Sequence, residues 1–128
     1  MLVRLSLAAI CAVSFVLPAW AHHCHGNYIA TPTDIEGVVT EIHLIVPHSW
    51  VYLDVEDDNG ETTTWALEAA GPDRMIQNGA KREDVQVGDR IKVRCHLLRD
   101  GSNGCLLGFV TPDHGDRARG HGVEIHWD

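Results

Sequence analysis

Four consecutive residues, His22-His23-Cys24-His25, set three imidazoles and a thiol side by side. Imidazole nitrogen and thiolate sulfur are ligands that copper and zinc select. If processing leaves His22 as the first residue, its α-amine and ring would chelate copper together, in the manner of a histidine brace. Processing one residue earlier places His23 third, a position able to bind Cu²⁺ or Ni²⁺ through backbone nitrogens. The spacing is too short for all four groups to reach one ion in a rigid site, and the plain alternative is a frayed, solvated terminus. A second set gathers in the next stretch of chain: His43 and His48, with Glu41, Trp50 and Tyr52. Two imidazoles beside a carboxylate suit Zn²⁺ or Cu²⁺, whereas an exposed Trp-Tyr pair would stack on a planar or sugar-like ligand. The bland alternative packs both aromatics under a loop and leaves the histidines as ordinary surface residues.

The C-terminal stretch adds His114, His121 and His126, and with His96 the chain has nine histidines in 128 residues. So many titratable rings also permit a pH response of solubility or association, since full protonation would nearly cancel the chain's negative charge. Catalysis finds no support. Ser49 and Ser102 lack a nucleophile elbow, and neither a phosphate-binding Gly-rich loop nor His-Glu-x-x-His is present. Cys24 beside histidines resembles an activated thiol, but a frayed terminus is a poor platform for chemistry. The expectation is a protein that is not an enzyme.

The elements that must carry these groups begin with an export signal. Arg4, an apolar run over residues 5–17, Pro18 and Ala19-Trp20-Ala21 read as a cleavable secretory signal over residues 1–21. The run is shorter than the ~18 to 20 residues of a membrane anchor, so no membrane association is expected after cleavage. Cleavage after Ala21 leaves 107 residues with 9 basic and 18 acidic side chains, a charge of −9 with histidines neutral. That sign excludes nucleic acid as a partner, because phosphates demand a basic surface, and it disfavours anionic lipid. Three cysteines remain, Cys24, Cys95 and Cys105, enough for one bridge and one free thiol in an oxidising compartment.

Alternation and β-branched content mark five strands, at residues 35–45, 48–56, 62–68, 90–98 and 104–111. A short helix at residues 74–78 follows Gly71-Pro72 and ends before Gly79. Three-residue hairpin loops with Gly60 and Gly101 in the left-handed position pair Val55 with Thr63, Leu53 with Trp65 and Val51 with Leu67. In the second hairpin they pair Ile91 with Phe109, Val93 with Leu107 and Cys95 with Cys105. The two cysteines would then face each other within disulfide reach. Val51, Leu53 and Val55 would point inward and His48, Trp50, Tyr52 and Asp54 outward. The Val46-Pro47 corner would bring His43 beside Trp50 and Glu41 beside Tyr52. Three strands, a helix and two strands make an all-β fold with one short helix, a five-stranded OB-fold-like barrel in the order β-β-β-α-β-β. An open sandwich is the alternative. The barrel would occupy residues 35–111, between a flexible His-rich arm at 22–34 and a polar His-containing tail at 112–128. Within that tail Val123, Ile125 and Trp127 suggest a sixth, edge strand.

Several of these segments together resemble a family of small exported bacterial proteins with a domain of unknown function. They are Ala21-His22-His23, Gly37-Val38-Val39-Thr40, Pro47-His48-Ser49-Trp50-Val51-Tyr52-Leu53-Asp54-Val55, Asn59-Gly60, Thr64-Trp65-Ala66-Leu67-Glu68 and Val87-Gly88-Asp89. The resemblance implies a periplasmic OB-like barrel and supplies no activity. This chain departs from the family pattern at Cys24-His25, in its cysteine pair and in its His-rich tail, and each departure adds groups able to hold a metal. The expected function is therefore a periplasmic metal-binding protein for copper or zinc, in carriage, buffering or sensing. The alternative is a non-enzymatic OB module that binds a small molecule or a periplasmic protein partner through the aromatic outer face.

Overall fold

The structure is a computed structural model in which residues 25–128 are described. The export signal and His22, His23 and Cys24 lie outside the described residues, as does the side chain of His25. Five strands, β1 (Thr33–His43), β2 (His48–Glu56), β3 (Thr62–Ala70), β4 (Arg90–Leu97) and β5 (Gly104–Pro112), carry helix α1 (Pro72–Gln77) between β3 and β4. A two-residue strand β6 (Ile125–His126) follows β5. The order β3-β2-β1-β4-β5-β6 is closed by a parallel β3–β5 pairing at Ala66–Gly104, Leu67–Cys105 and Glu68–Leu106. An open sandwich lacks such a pairing. The fold is the expected all-β, OB-fold-like barrel with one helix after the third strand, plus the short sixth strand. No helix among the described residues is long and apolar enough to cross a membrane.

Period-two alternation decides what fills the barrel. Val39, Val51, Leu53, Leu67, Ile91, Val93, Leu107 and Val110 are all buried and form one core. The first hairpin takes the register its loop dictates, with Val55 opposite Thr63, Leu53 opposite Trp65 and Val51 opposite Leu67. Gly60 turns the chain at φ +81°, with its N–H donated to the Asp57 carbonyl at 3.0 Å. Gly37 is needed where β1 crosses β2, because a Cβ there would stand 2.5 Å from the Asp54 carbonyl oxygen. Outside the barrel, β1 and β4 carry a ladder of opposite charges, with Asp34 3.3 Å from Lys92 and 3.2 Å from Arg94. Helix α1 begins earlier than expected because Pro72 serves as its first residue, where a missing N–H costs nothing. Met75 turns inward to cap the barrel end.

The second hairpin departs from expectation. Gly101 does make the turn, at φ +79°, but Ser102 and Asn103 lengthen the loop, and the Leu98 N–H reaches the Gly104 carbonyl at 3.1 Å. Cys95 therefore faces Leu107, and Leu97 faces Cys105. A β-bulge beside Arg94 and Cys95 then leaves Gly108 as an extra residue on β5 and reverses the alternation. Val93 pairs with Val110 and Ile91 with Pro112, while Phe109 turns outward and stacks on His126 at 4.8 Å between ring centroids. The cysteines are diagonal neighbours rather than a facing pair. Both are buried, their Cα atoms are 5.8 Å apart, and their sulfurs lie at bonding distance.

The bulge also gives the tail its anchorage. The carbonyl of Gly108 accepts from the Trp127 N–H at 2.9 Å, and the Trp127 carbonyl accepts from Ala70 of β3 at 3.0 Å. Trp127, 3% exposed, is thus sewn between the closing strands. Before it, the chain is held by backbone bonds to rings: Nδ1 of His114 accepts from the Asp116 N–H and Nδ1 of His121 from the Gly115 N–H. His114 Nε2–H donates to the Asp84 carbonyl at 3.0 Å. The other terminus of the barrel is tied as well. The Ile29 N–H donates to Leu97 O at 2.8 Å and the Arg99 N–H to Asn27 O at 2.9 Å, so the arm expected to be flexible joins β4 from residue 27 onward.

An ion pair between Arg119 and Asp89 pins the tail to the turn before β4. Burial alone would push the Asp89 carboxyl up, but the Arg119 hydrogen bond, the Gln86 N–H and the charge of Arg119 outweigh it and hold it below the usual carboxylate range. A carboxyl depressed on folding contributes stability above its unfolded pKa of about 3.9 and loses it as pH falls through the folded value. Asp89→Asn should cost about 1–2 kcal/mol at neutral pH. Urea denaturation should show that difference from the parent shrinking as pH falls below about 4.

Candidate functional site

Strand β2 projects His48, Trp50, Tyr52 and Asp54 outward, each partly covered, while Ser49, Val51 and Leu53 are sealed inside. The β1–β2 register sets His43 opposite Trp50 and Glu41 opposite Tyr52, as the Val46-Pro47 corner requires. That corner contains a cis peptide bond. On the other side of β2, Trp50 faces Glu68 of β3. His43, Trp50 and Glu68 therefore occupy one row across the sheet, with the indole position between an imidazole and a carboxylate.

The two histidines do not converge on a shared carboxylate. His43 Nε2 lies 2.9 Å from Glu41 Oε2, and its ring meets Tyr52 edge-on with centroids 5.8 Å apart. His48 Nδ1 bonds Glu68 Oε1 instead. Among the described residues no group of three His, Cys, Asp or Glu stands close enough to hold a metal ion. Glu41, His43, Trp50 and Tyr52 do share the outer face as expected. His114 and His121 serve the tail's backbone, and His126 stacks on Phe109.

A different cluster forms around His48. Glu68 takes the imidazole on one oxygen and the Tyr28 hydroxyl on the other. The three line a groove of about 470 Å³ with Pro47, Arg74 and Leu106. Side-chain exposure is 37% for His48 and 19% for Glu68, so the carboxylate is the better shielded partner. Burial, the hydrogen bond to Glu68 and the charge of Glu68 all raise the Tyr28 phenol well above its ordinary value, which keeps it a proton donor. With Nδ1–H donated to the carboxylate, the neutral form of the His48 ring carries its lone pair on Nε2, the tautomer in which imidazole ligates metals.

Glu68 and Tyr28 were not singled out from sequence. Glu68 was within reach, because the register that pairs Val51 with Leu67 puts the next residue of β3 beside Trp50 on the outer face. Tyr28 gave no signal, since it belongs to the arm and arrives only through the bridge between Tyr28 and Leu98.

The fold and this site define an OB-like barrel with a carboxylate-locked histidine on its closing seam. The chain belongs to a family of unknown function, DUF6152, whose model matches residues 9–107. No curated protein matches it. Among solved structures, it is similar to Rim1, a mitochondrial single-stranded DNA binding protein from S. cerevisiae. The identity is 13%, over 64% of this chain and 93% of that one, with a TM-score of 0.46.

If Glu68 bonds Tyr28 and His48 at once, the two contacts are coupled through it. A double-mutant cycle of Tyr28→Phe and Glu68→Gln, read by urea denaturation, should return a coupling energy of about 1–2 kcal/mol. Additive losses would mean that the phenol and the carboxylate stabilise the fold separately.

Proposed function

We propose that this protein is an exported binder of copper or zinc in which His48 supplies one ligand and the His22-His23-Cys24-His25 segment supplies the others. The observation that carries the reading is the Glu68 carboxylate fixing His48 through Nδ1. Metal-binding histidines are oriented in this way, the carboxylate raising the basicity of the ligating nitrogen. Chain geometry adds support. Tyr28 is held at the same carboxylate, and three residues span at most about 11 Å, so His25 is tethered within a short reach of His48. The described residues hold too few neighbouring ligands for a closed site, which is why the arm is required. Carriage or buffering fits a site built partly from a chain terminus, since such a site exchanges its ion more readily than a closed cage.

Export and a periplasmic location are part of the same proposal. They rest on the signal-like first 21 residues and agree with Cys95 and Cys105 at disulfide distance. A second reading keeps the outer face of β1 and β2 as a docking surface for a small molecule or protein. It is favoured by Trp50 and Tyr52 projecting outward while only partly covered.

Titration calorimetry with Cu²⁺ and Zn²⁺, on exported protein whose N-terminus is established by mass spectrometry, tests the metal reading. One of the two ions should bind with a dissociation constant below about 1 µM. Glu68→Gln should weaken that binding about 10–100-fold, and His48→Ala at least as much. Binding weaker than about 1 µM for both ions, or affinity unchanged by His48→Ala, overturns the reading.

A further inference from the structure

Helix α1 divides the His48 groove from a second cleft, and the two have no lining residue in common. This cleft has a volume of about 350 Å³, within the ~300–1,000 Å³ typical of small-molecule sites. Its walls are Ile42, Leu44, Met75, Ile76, Val85 and Trp127. Met75, Val85 and Trp127 belong to the packed core, so the floor is preformed, whereas Ile76 is 56% exposed at the rim. Apolar surface continues along the corner between β1 and β2, where Ile45 is 52% and Val46 78% exposed. That corner is pressed against the start of α1, since a Cβ on Gly71 would stand 2.8 Å from the Pro47 carbonyl oxygen.

Lys81 and Arg82 line the same cleft. Among the described residues neither side chain forms an ion pair, unlike Arg90, Lys92, Arg94 and Arg119. Asp84 does not neutralise them from the mouth. It is 6% exposed, and its carboxylate accepts from the Lys81 backbone N–H at 2.8 Å. Lys81 and Arg82 thus set two cations beside an apolar cavity, with the exposed Glu83 following them in sequence.

We propose that this cleft binds a single-chain amphiphile with an anionic head, the chemistry of a free fatty acid. The acyl chain lies along the aliphatic walls, and the carboxylate meets Lys81 and Arg82. Apolar walls alone would accept any hydrophobe of suitable size; the cationic rim discriminates by charge. A cleft of about 350 Å³ has room for one acyl chain. The proposal is independent of the metal reading.

Calorimetry with monomeric decanoate, decanol and decyltrimethylammonium on the full exported chain tests it. Decanoate should bind with one molecule per chain, and the cationic analogue at least about tenfold more weakly. The double variant Lys81→Glu/Arg82→Glu, altered only at exposed positions, should lose at least about tenfold in decanoate affinity while binding decanol as before. Ile76→Asp, folded by circular dichroism, should bind neither. The proposal is overturned by equal affinity for the anionic and cationic amphiphiles, by decanoate binding that survives Ile76→Asp or the double variant, or by binding to phosphatidylglycerol vesicles without binding to monomeric decanoate.

Discussion

Closure of the barrel along β3 and β5 is the constraint on which the rest depends. The two strands run parallel for three residue pairs only, helped by the Ala66 N–H donated to the Asn103 carbonyl at 3.1 Å. Gly104 permits a close approach at the start of that seam. A Cβ there would stand 2.7 Å from Leu98 and 3.1 Å from the Ala66 carbonyl oxygen. Once the seam is made, each strand has one face toward a common core and one toward solvent. Polar side chains at alternate positions are then driven out together, and Glu68, itself a seam residue, arrives beside His48. The β2–β3 register supplies the His48–Glu68 pair, and closure sets it beside the seam.

The seam is short, and the molecule extends it with non-local chain. The bulge at Gly108 frees a carbonyl that would otherwise stay in the β4–β5 ladder, and Trp127 takes it. Trp127 in turn accepts from Ala70, so β3 and β5 remain bridged beyond the point where their direct pairing stops. A bulge that looks like an irregularity of one strand therefore prolongs the contact between two others, and it buries a large aromatic side chain at the barrel end.

Much of this was legible in the sequence where local rules act alone. The first hairpin follows from a tight turn at Gly60 and alternating residues on both sides, and its register is fixed as soon as one face must be buried. The corner at Val46-Pro47 likewise set His43 against Trp50. The second hairpin escaped because Ser102 and Asn103 can belong to loop or strand with equal local preference, and because nothing around Gly108 announces an extra residue. An error of two residues keeps side chains on the same face, which is why Cys95 and Cys105 still meet. A bulge reverses the face, which is why Phe109 was misplaced. Of the candidate site, the outward strand β2 was readable, whereas the pairing of His48 with Glu68 and Tyr28 required contacts between segments far apart in sequence.

Electrostatics then separates the surface into regions with different capacities. Along β1 and β4 the acids Asp34 and Glu36 are answered by Lys92, Arg94 and Arg90, so that face offers little net field to a ligand. On one side of α1 a shielded carboxylate orients an imidazole, with Arg74 on the same groove. On the other side lysine and arginine flank aliphatic walls. Arg74 projects into the first region while Met75 and Ile76 line the second. Six residues of helix, beginning at a proline and turning once and a half, therefore set the boundary between two different chemistries on a barrel whose own architecture prescribes neither.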